Sequence, residues 1–198
     1  GFKAGWISGL SLSASLGVRD NNELSFTQVA DMCAYINDRI SIPTLLDFDT
    51  GYGTYNTARI ALRKVQSAGV AGICIEDKKF PKTNSFLGNS LDDLADPAEF
   101  ALKIKALKDT QLDPNFCVVA RLESFIAGAG LQDALMRASM YVEAGADAIL
   151  VHSKRSDCKE IDLFMSYWKQ SKHKDVPVVI VPTKYYSTPT RHFEDIGV

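Results

Sequence analysis

The sequence predicts an α/β protein of the (β/α)8, TIM-type barrel class. Short apolar runs alternate with helical stretches along the chain, and their starts fall about thirty residues apart, the length of one strand–helix unit. Polar residues gather just past the carboxyl ends of several different runs.

The first run, residues 5–10 (GWISGL), reads as a strand, followed by a loop and a helix over 27–38. Residues 42–48 (IPTLLDF) are a continuous apolar run ending in acids, as a buried parallel strand would be. Over 56–68, Ala58, Ile60, Ala61, Val65 and Ala68 recur at helical spacing, and Gly69 closes that helix. Residues 70–75 form the next strand. The helix over 97–108 opens with Asp96 at its cap and Pro97 in its first turn. A strand over 116–120, a helix over 131–144 closed by Gly145, a strand over 146–151, a helix over 156–168 and a strand over 176–181 complete the series.

Six parallel strands fit either an open doubly wound sheet or a barrel. The polar residues Ser8, Asp47, Asp49, Glu76, Asp77, Arg121, Glu123, His152 and Ser153 fall at the carboxyl ends of five of the predicted strands. An open sheet draws its site from the few loops at one switch point, whereas a barrel converges all its strand ends on one mouth. The barrel is therefore preferred. Six strands cannot close an eight-stranded barrel, so residues 1–198 read as a single, incomplete barrel domain, a fragment. The connection over 78–96 exceeds the usual loop length and is a candidate lid.

Composition excludes several function classes. With 46% hydrophobic and 23% charged residues the chain is an ordinary soluble one. A net charge of −2 and a pI near 5.9 argue against a nucleic-acid surface, and the basic stretch from Lys169 to Lys174 reads as a solvated helix end. Four scattered cysteines without a CxxC pair suit a reducing compartment, with Cys74 and Cys117 inside apolar runs. No N-x-Ser/Thr sequon, signal-peptide core or long apolar segment is found, so no membrane partner is expected. The expected location is the cytoplasm, with a mitochondrial address left open.

Asp47 and Asp49 lie two apart at a strand end, so both point to one face while Phe48 points to the other. Glu76 and Asp77 end the neighbouring strand, and alternation turns one of them inward. Carboxylates crowded together repel unless a cation or proton neutralises them. An oxygen-rich set without cysteine or paired histidines suits Mg2+ or Mn2+ rather than Zn2+; the alternative is that each acid caps the helix that follows. Gly51 and Gly53 read as a tight turn, because a phosphate-binding loop would need a lysine and spacing that are absent. Arg121 needs a buried anionic partner, either Glu123 or a ligand phosphate. His152 is either a structural residue or part of the same mouth. In 78–85 (KKFPKTNS), lysines combine with amide and hydroxyl groups, which suits either a lid over an anion or plain solvation.

At these residues the sequence resembles the phosphoenolpyruvate mutase branch of the isocitrate lyase superfamily. The likeness runs through 9–14 (GLSLSA), 17–20 (GVRD), 46–53 (LDFDTGYG), 76–85 (EDKKFPKTNS), 119–123 (VARLE), 149–153 (ILVHS) and 181–186 (VPTKYY). It implies a barrel of which this chain holds strands two to seven. It further implies Mg2+-dependent interconversion of phosphonopyruvate and phosphoenolpyruvate, in a homo-oligomer (dimer or tetramer) when full length. By the same resemblance Asp47 holds the metal directly, and Asp20, Asp49 and Glu76 hold it through water. Ser8, Gly9 and Leu10 hold the pyruvyl group with Trp6 packed beside it. Arg121, His152 and Asn84 grip the phosphoryl group, Ser85 joins Asn84 at the substrate, and Lys82 rides on the closing loop. The superfamily's lyases carry a cysteine-containing loop after their Glu-Asp pair, which is absent here. Phosphonopyruvate hydrolases tend to have threonine where this chain has Asn84, which ranks hydrolase second. A non-catalytic 2-oxo acid-binding barrel, or an inactive fragment, is the reading from another class.

Overall fold

Side chains alternate across each strand of a parallel sheet whose two faces bury different things. In this computed structural model, which describes residues 1–85 and 90–198, the strands are β1 (Gly5–Ile7), β2 (Thr44–Asp47), β3 (Gly72–Glu76), β4 (Cys117–Leu122), β5 (Ala148–Val151) and β6 (Val178–Ile180). They pair in the order β1-β2-β3-β4-β5-β6 with every neighbour parallel, leaving β1 and β6 as edges. The helices are α1 (Gly9–Ser15), α2 (Phe26–Asn37), α3 (Tyr55–Ser67), α4 (Pro97–Lys108), α5 (Ser124–Ala127), α6 (Gly130–Glu143), α7 (Lys159–Trp168) and α8 (Thr190–Asp195).

On one face, Leu46, Ile73, Ile75, Val118, Ala120, Leu122, Ile149 and Val151 pack with helix residues such as Leu62, Phe100, Ile104, Tyr141, Phe164 and Trp168. The other face buries a smaller set: Cys74, Val119, Ala148 and Leu150, flanked by Leu45, Val179 and Val181. That period of two places Asp47, Glu76, Arg121 and His152 on the inner face, each one position along from an outward hydrophobe. The sheet curls as a partial barrel, because residues at or just beyond the carboxyl ends of all six strands line one cavity. Gly72 is required where β3 meets β4, since a Cβ there would lie 2.8 Å from the Cys117 carbonyl oxygen.

The predicted cap at Asp96 forms, its Oδ1 accepting from the backbone N–H groups of Ala98 at 2.9 Å and Glu99 at 3.0 Å. Gly69 and Gly145 close α3 and α6 with φ of +80° and +108°. The predicted strand over 5–10 is corrected: it ends at Ile7, and Gly9 and Leu10 open α1. Ser8 causes the break, its Oγ accepting from Ser11 N–H at 3.3 Å and its carbonyl accepting from Leu12 N–H at 3.0 Å. The helix predicted from 156 starts at Lys159, and α5 and α8, both short, have no counterpart in the sequence reading. Part of the candidate lid, residues 86–89, lies outside the described residues. Its return is built by a 3-10 turn at Leu91–Asp93 and a bridge between Lys78 and Leu94. Among the described residues no helix is long and apolar enough to cross a membrane.

Candidate active site

A cavity of about 510 Å3 opens at the carboxyl ends of the strands. Trp6, Ser8, Leu10, Asp20, Asp47, Glu76, Lys82, Asn84, Ser85, Arg121 and His152 all line it, so eleven of the thirteen residues that the resemblance assigns to the site meet in one space. The other two sit just behind: a Cβ on Gly9 would lie 3.2 Å from Asp49 Oδ1 and 3.3 Å from Asp47 Oδ2.

The acids form one side. Asp47 ends β2 and its Oδ2 accepts from the Gly9 N–H at 3.3 Å. Asp49 has a φ of +51°, which swings its carboxylate back towards the cavity side. There Asn22 Nδ2 donates to its Oδ2 at 3.0 Å. Lys82 Nζ lies 2.8 Å from Asp20 Oδ1 and 2.5 Å from Asp49 Oδ1. Burial opposes a charge on Lys82, but Glu76, Asp49, Asp47 and Asp20 hold it well above the usual lysine range. Burial pushes Glu76 and Asp49 above the ordinary carboxylate range, against the pull of Arg121 and Lys82 on Glu76 and of Lys82 on Asp49.

The other polar residues of the lining are cationic and amide-rich. Arg121 ends β4 inward, with Nε donating to Glu123 Oε1 at 2.6 Å and Nη2 donating to Ser85 Oγ at 3.0 Å. Nη2 also lies 3.4 Å from Glu76 Oε2 and 2.9 Å from His152 Nδ1. Of the two partners envisaged for Arg121, Glu123 is the one observed, and Arg121 also lines the cavity. Glu123 also accepts from Ser85 Oγ at 2.6 Å, and lies 2.8 Å from His152 Nδ1 and 3.6 Å from Lys78 Nζ. Burial alone would raise this carboxyl, yet Arg121, His152 and Lys78 hold it well below the usual range. Burial and the Arg121 charge lower His152, which favours the neutral imidazole at pH 7. Asn84 Nδ2 donates to Asp20 Oδ2 at 3.1 Å, linking the two sets.

Of the Glu76–Asp77 pair, Glu76 faces the cavity. Asp77 points the other way, accepting from Tyr141 Oη at 2.8 Å, the Glu123 N–H at 2.8 Å and Arg137 Nη1 at 3.2 Å, a structural role. The glycine turn is likewise structural: Lys103 Nζ donates to the carbonyls of Thr50 and Gly53, both at 2.9 Å. Lys78 and Lys82 are buried rather than solvated. Asn22 is a site residue absent from the sequence reading. At φ +65° it braces both Asp49 and the Lys82 backbone, whose N–H donates to Asn22 Oδ1 at 2.7 Å. Its signal was a polar run after the first strand, Asp20-Asn21-Asn22, in which asparagine tolerates the left-handed region. The far wall, Val179 to Thr183, was not legible as site because its residues carry little polar chemistry.

The acid side fits a hard divalent cation. Glu76 is 2% exposed and its Oε1 has no hydrogen-bond partner, and the acids beside it in the lining, Asp20 and Asp47, offer carboxylate oxygens. Among the described residues, no three of these acids bring a ligand atom each within 4.8 Å of one another.

A family model described as phosphoenolpyruvate phosphomutase matches residues 1–198. A phosphoenolpyruvate phosphomutase of Tetrahymena pyriformis is 54% identical over 198 residues, covering 100% of this chain and 65% of the relative. The crystal structure of a phosphoenolpyruvate phosphomutase from Streptomyces platensis subsp. rosaceus superposes with a TM-score of 0.94 at 39% identity, covering 100% of this chain and 67% of that one. A phosphonopyruvate hydrolase solved with oxalate and Mg2+ gives a TM-score of 0.89 at 38% identity, covering 100% and 66%. The chain therefore spans just under two thirds of the length of the curated Tetrahymena relative. By a match that runs from its first residue to its last, this chain belongs to the phosphoenolpyruvate phosphomutase family.

Proposed function

We propose that this chain carries the active site of a Mg2+-dependent phosphoenolpyruvate mutase, interconverting phosphoenolpyruvate and 3-phosphonopyruvate. One observation carries the reading: the carboxylates of Asp20, Asp47 and Glu76 and the polar group Arg121, His152, Asn84 and Ser85 line a single cavity. A substrate with a metal-binding 2-oxo acid end and a phosphoryl end needs both.

Asp47 would hold Mg2+ directly, with Asp20, Asp49 and Glu76 acting through its waters. The ion would supply charge stabilisation for the enolate. Ser8, Gly9 and Leu10 would hold the carboxylate and carbonyl, with Trp6 beside them. Arg121, His152 and Asn84 would hold the phosphoryl oxygens. In the direction of phosphoenolpyruvate the carbon–phosphorus bond breaks, its electron pair forms the enolate, and the enolate oxygen captures the phosphorus. No proton moves in that exchange, so the protein's task is positioning, charge stabilisation and exclusion of water. The segment holding Lys82, Asn84 and Ser85 would serve as the cover.

The six strands would be strands two to seven of an eight-stranded barrel, and residues 1–198 one incomplete domain of it. A homo-oligomer in the cytoplasm, with no nucleic-acid or membrane partner, completes the proposal; light scattering on the full-length protein tests the assembly. Phosphonopyruvate hydrolysis is the second reading, favoured less because Asn84 stands where hydrolases tend to have threonine. The test is phosphorus NMR after incubating full-length protein with phosphonopyruvate and Mg2+. Phosphoenolpyruvate is expected; pyruvate with phosphate would favour hydrolysis, and unchanged substrate would favour a binding-only barrel. Running the 198-residue chain alongside shows whether it is active alone.

A further inference from the structure

Away from the cavity wall, a second cluster of metal-ligating side chains joins α7 to α8. Cys158 immediately precedes α7, Asp162 lies one turn into that helix, and His192 belongs to α8. Cys158 Sγ lies 3.3 Å from Asp162 Oδ2 and 3.7 Å from His192 Nε2, and His192 Nε2 lies 2.6 Å from Asp162 Oδ1. One ligand atom from each falls within 4.8 Å of the other two, an arrangement the acids of the cavity do not share.

The geometry distinguishes chelation from nucleophilic catalysis. In a thiol–imidazole–acid relay, the acid holds one ring nitrogen and the thiol meets the other. Here Cys158 and Asp162 both approach Nε2 of His192, so no relay runs through the ring. The three donor atoms instead lie close to one another. A tetrahedral ion with bonds of about 2.0–2.3 Å has ligand–ligand edges of about 3.3–3.6 Å. The Cys158–His192 distance of 3.7 Å stands near that value, and the Asp162 carboxylate, through one oxygen or the other, lies within reach of both.

We propose that Cys158, Asp162 and His192 bind one borderline-soft divalent cation of the Zn2+ type, with solvent completing its coordination. A thiolate, an imidazole and a carboxylate select that class, whereas the all-oxygen cavity selects a hard ion. The Asp162 and His192 side chains are each 38% exposed, so an ion has a path in. Binding releases the Cys158 thiol proton to solvent, so affinity rises with pH. Because Val181, Pro182 and Thr183 wall the cavity and lie on the segment between β6 and α8, an ion here ties that wall to α7.

The test is titration of full-length protein with Co2+ in the presence of saturating Mg2+, followed by absorption spectroscopy. Wild type should bind one Co2+ per chain with a thiolate-to-metal charge-transfer band, which the oxygen-lined cavity cannot produce. Cys158→Ser should abolish the band, His192→Ala should weaken Co2+ binding about tenfold or more, and Cys117→Ser should leave both unchanged. A wild-type protein that shows no band, or a Cys158→Ser protein that keeps it, overturns the site. The wild-type measurement decides the matter even if a variant fails to fold.

Discussion

The side-chain amide of Asn84 donates to Asp20 Oδ2 at 3.1 Å, joining the segment after β3 to the loop after α1 across the cavity. Lys82, two residues earlier, pairs with the same Asp20 and with Asp49. This edge of the cavity is closed by side chains reaching between loops that are 64 residues apart in sequence.

Asn84→Thr shortens that reach and removes the amide. In the proposed reaction water then competes for the phosphoryl group, and the share of pyruvate plus phosphate should rise by about tenfold, the scale of one lost polar contact in a transition state. Phosphorus NMR of the product mixture reads it directly. An unchanged ratio removes Asn84 as the basis for preferring mutase over hydrolase.

Glu123 is fully buried and gathers Arg121, Ser85, His152 and Lys78 around one carboxylate. Glu123→Ala leaves buried cations without their counter-charge and should cost about 3–5 kcal/mol in urea unfolding. A loss under 1 kcal/mol, the level of an exposed pair, would contradict the network.

Tyr141→Phe removes the hydroxyl that donates to Asp77 at 2.8 Å, while Arg137 and the Glu123 N–H still serve that acid. The expected cost is about 1–3 kcal/mol of stability with the product ratio untouched. A changed ratio would bring Asp77 into the chemistry after all.

The strand ends were legible because each apolar run stops at polar residues, and the alternation read at Asp47 and Phe48 is obeyed by the packing; which of Glu76 and Asp77 turns inward came only with the structure. Five helices were readable from apolar spacing and caps. Helix α1 was not, because its seven residues, GLSLSAS, carry no helical stripe and its start depends on the Ser8 side chain. The role of Asn22 was hidden for a different reason: it acts through Asp49 and Lys82, 27 and 60 residues along the chain, and a single sequence shows residue types without showing who meets whom.

Gly72→Ala tests the tightness of the sheet's inner face. The new methyl would sit 2.8 Å from the Cys117 carbonyl and 3.0 Å from Leu45 Cδ1, so β3 must move. Overpacking of this kind should cost about 1–3 kcal/mol by chemical denaturation. No loss would mean that the strands are less closely set than described.

The central claim is that acids from separate strand ends and loops serve one divalent ion. Electron paramagnetic resonance of full-length protein titrated with Mn2+, a hard stand-in for Mg2+, tests it most directly. With the thiol-containing site removed by Cys158→Ser or left intact, one Mn2+ bound per chain at the acids is expected, displaced by Mg2+. Its affinity should fall by about 10–100-fold in Glu76→Gln and binding should be lost in Asp47→Ala. Wild-type protein that leaves Mn2+ free in solution, or an Asp47→Ala protein that binds it undiminished, would contradict that claim.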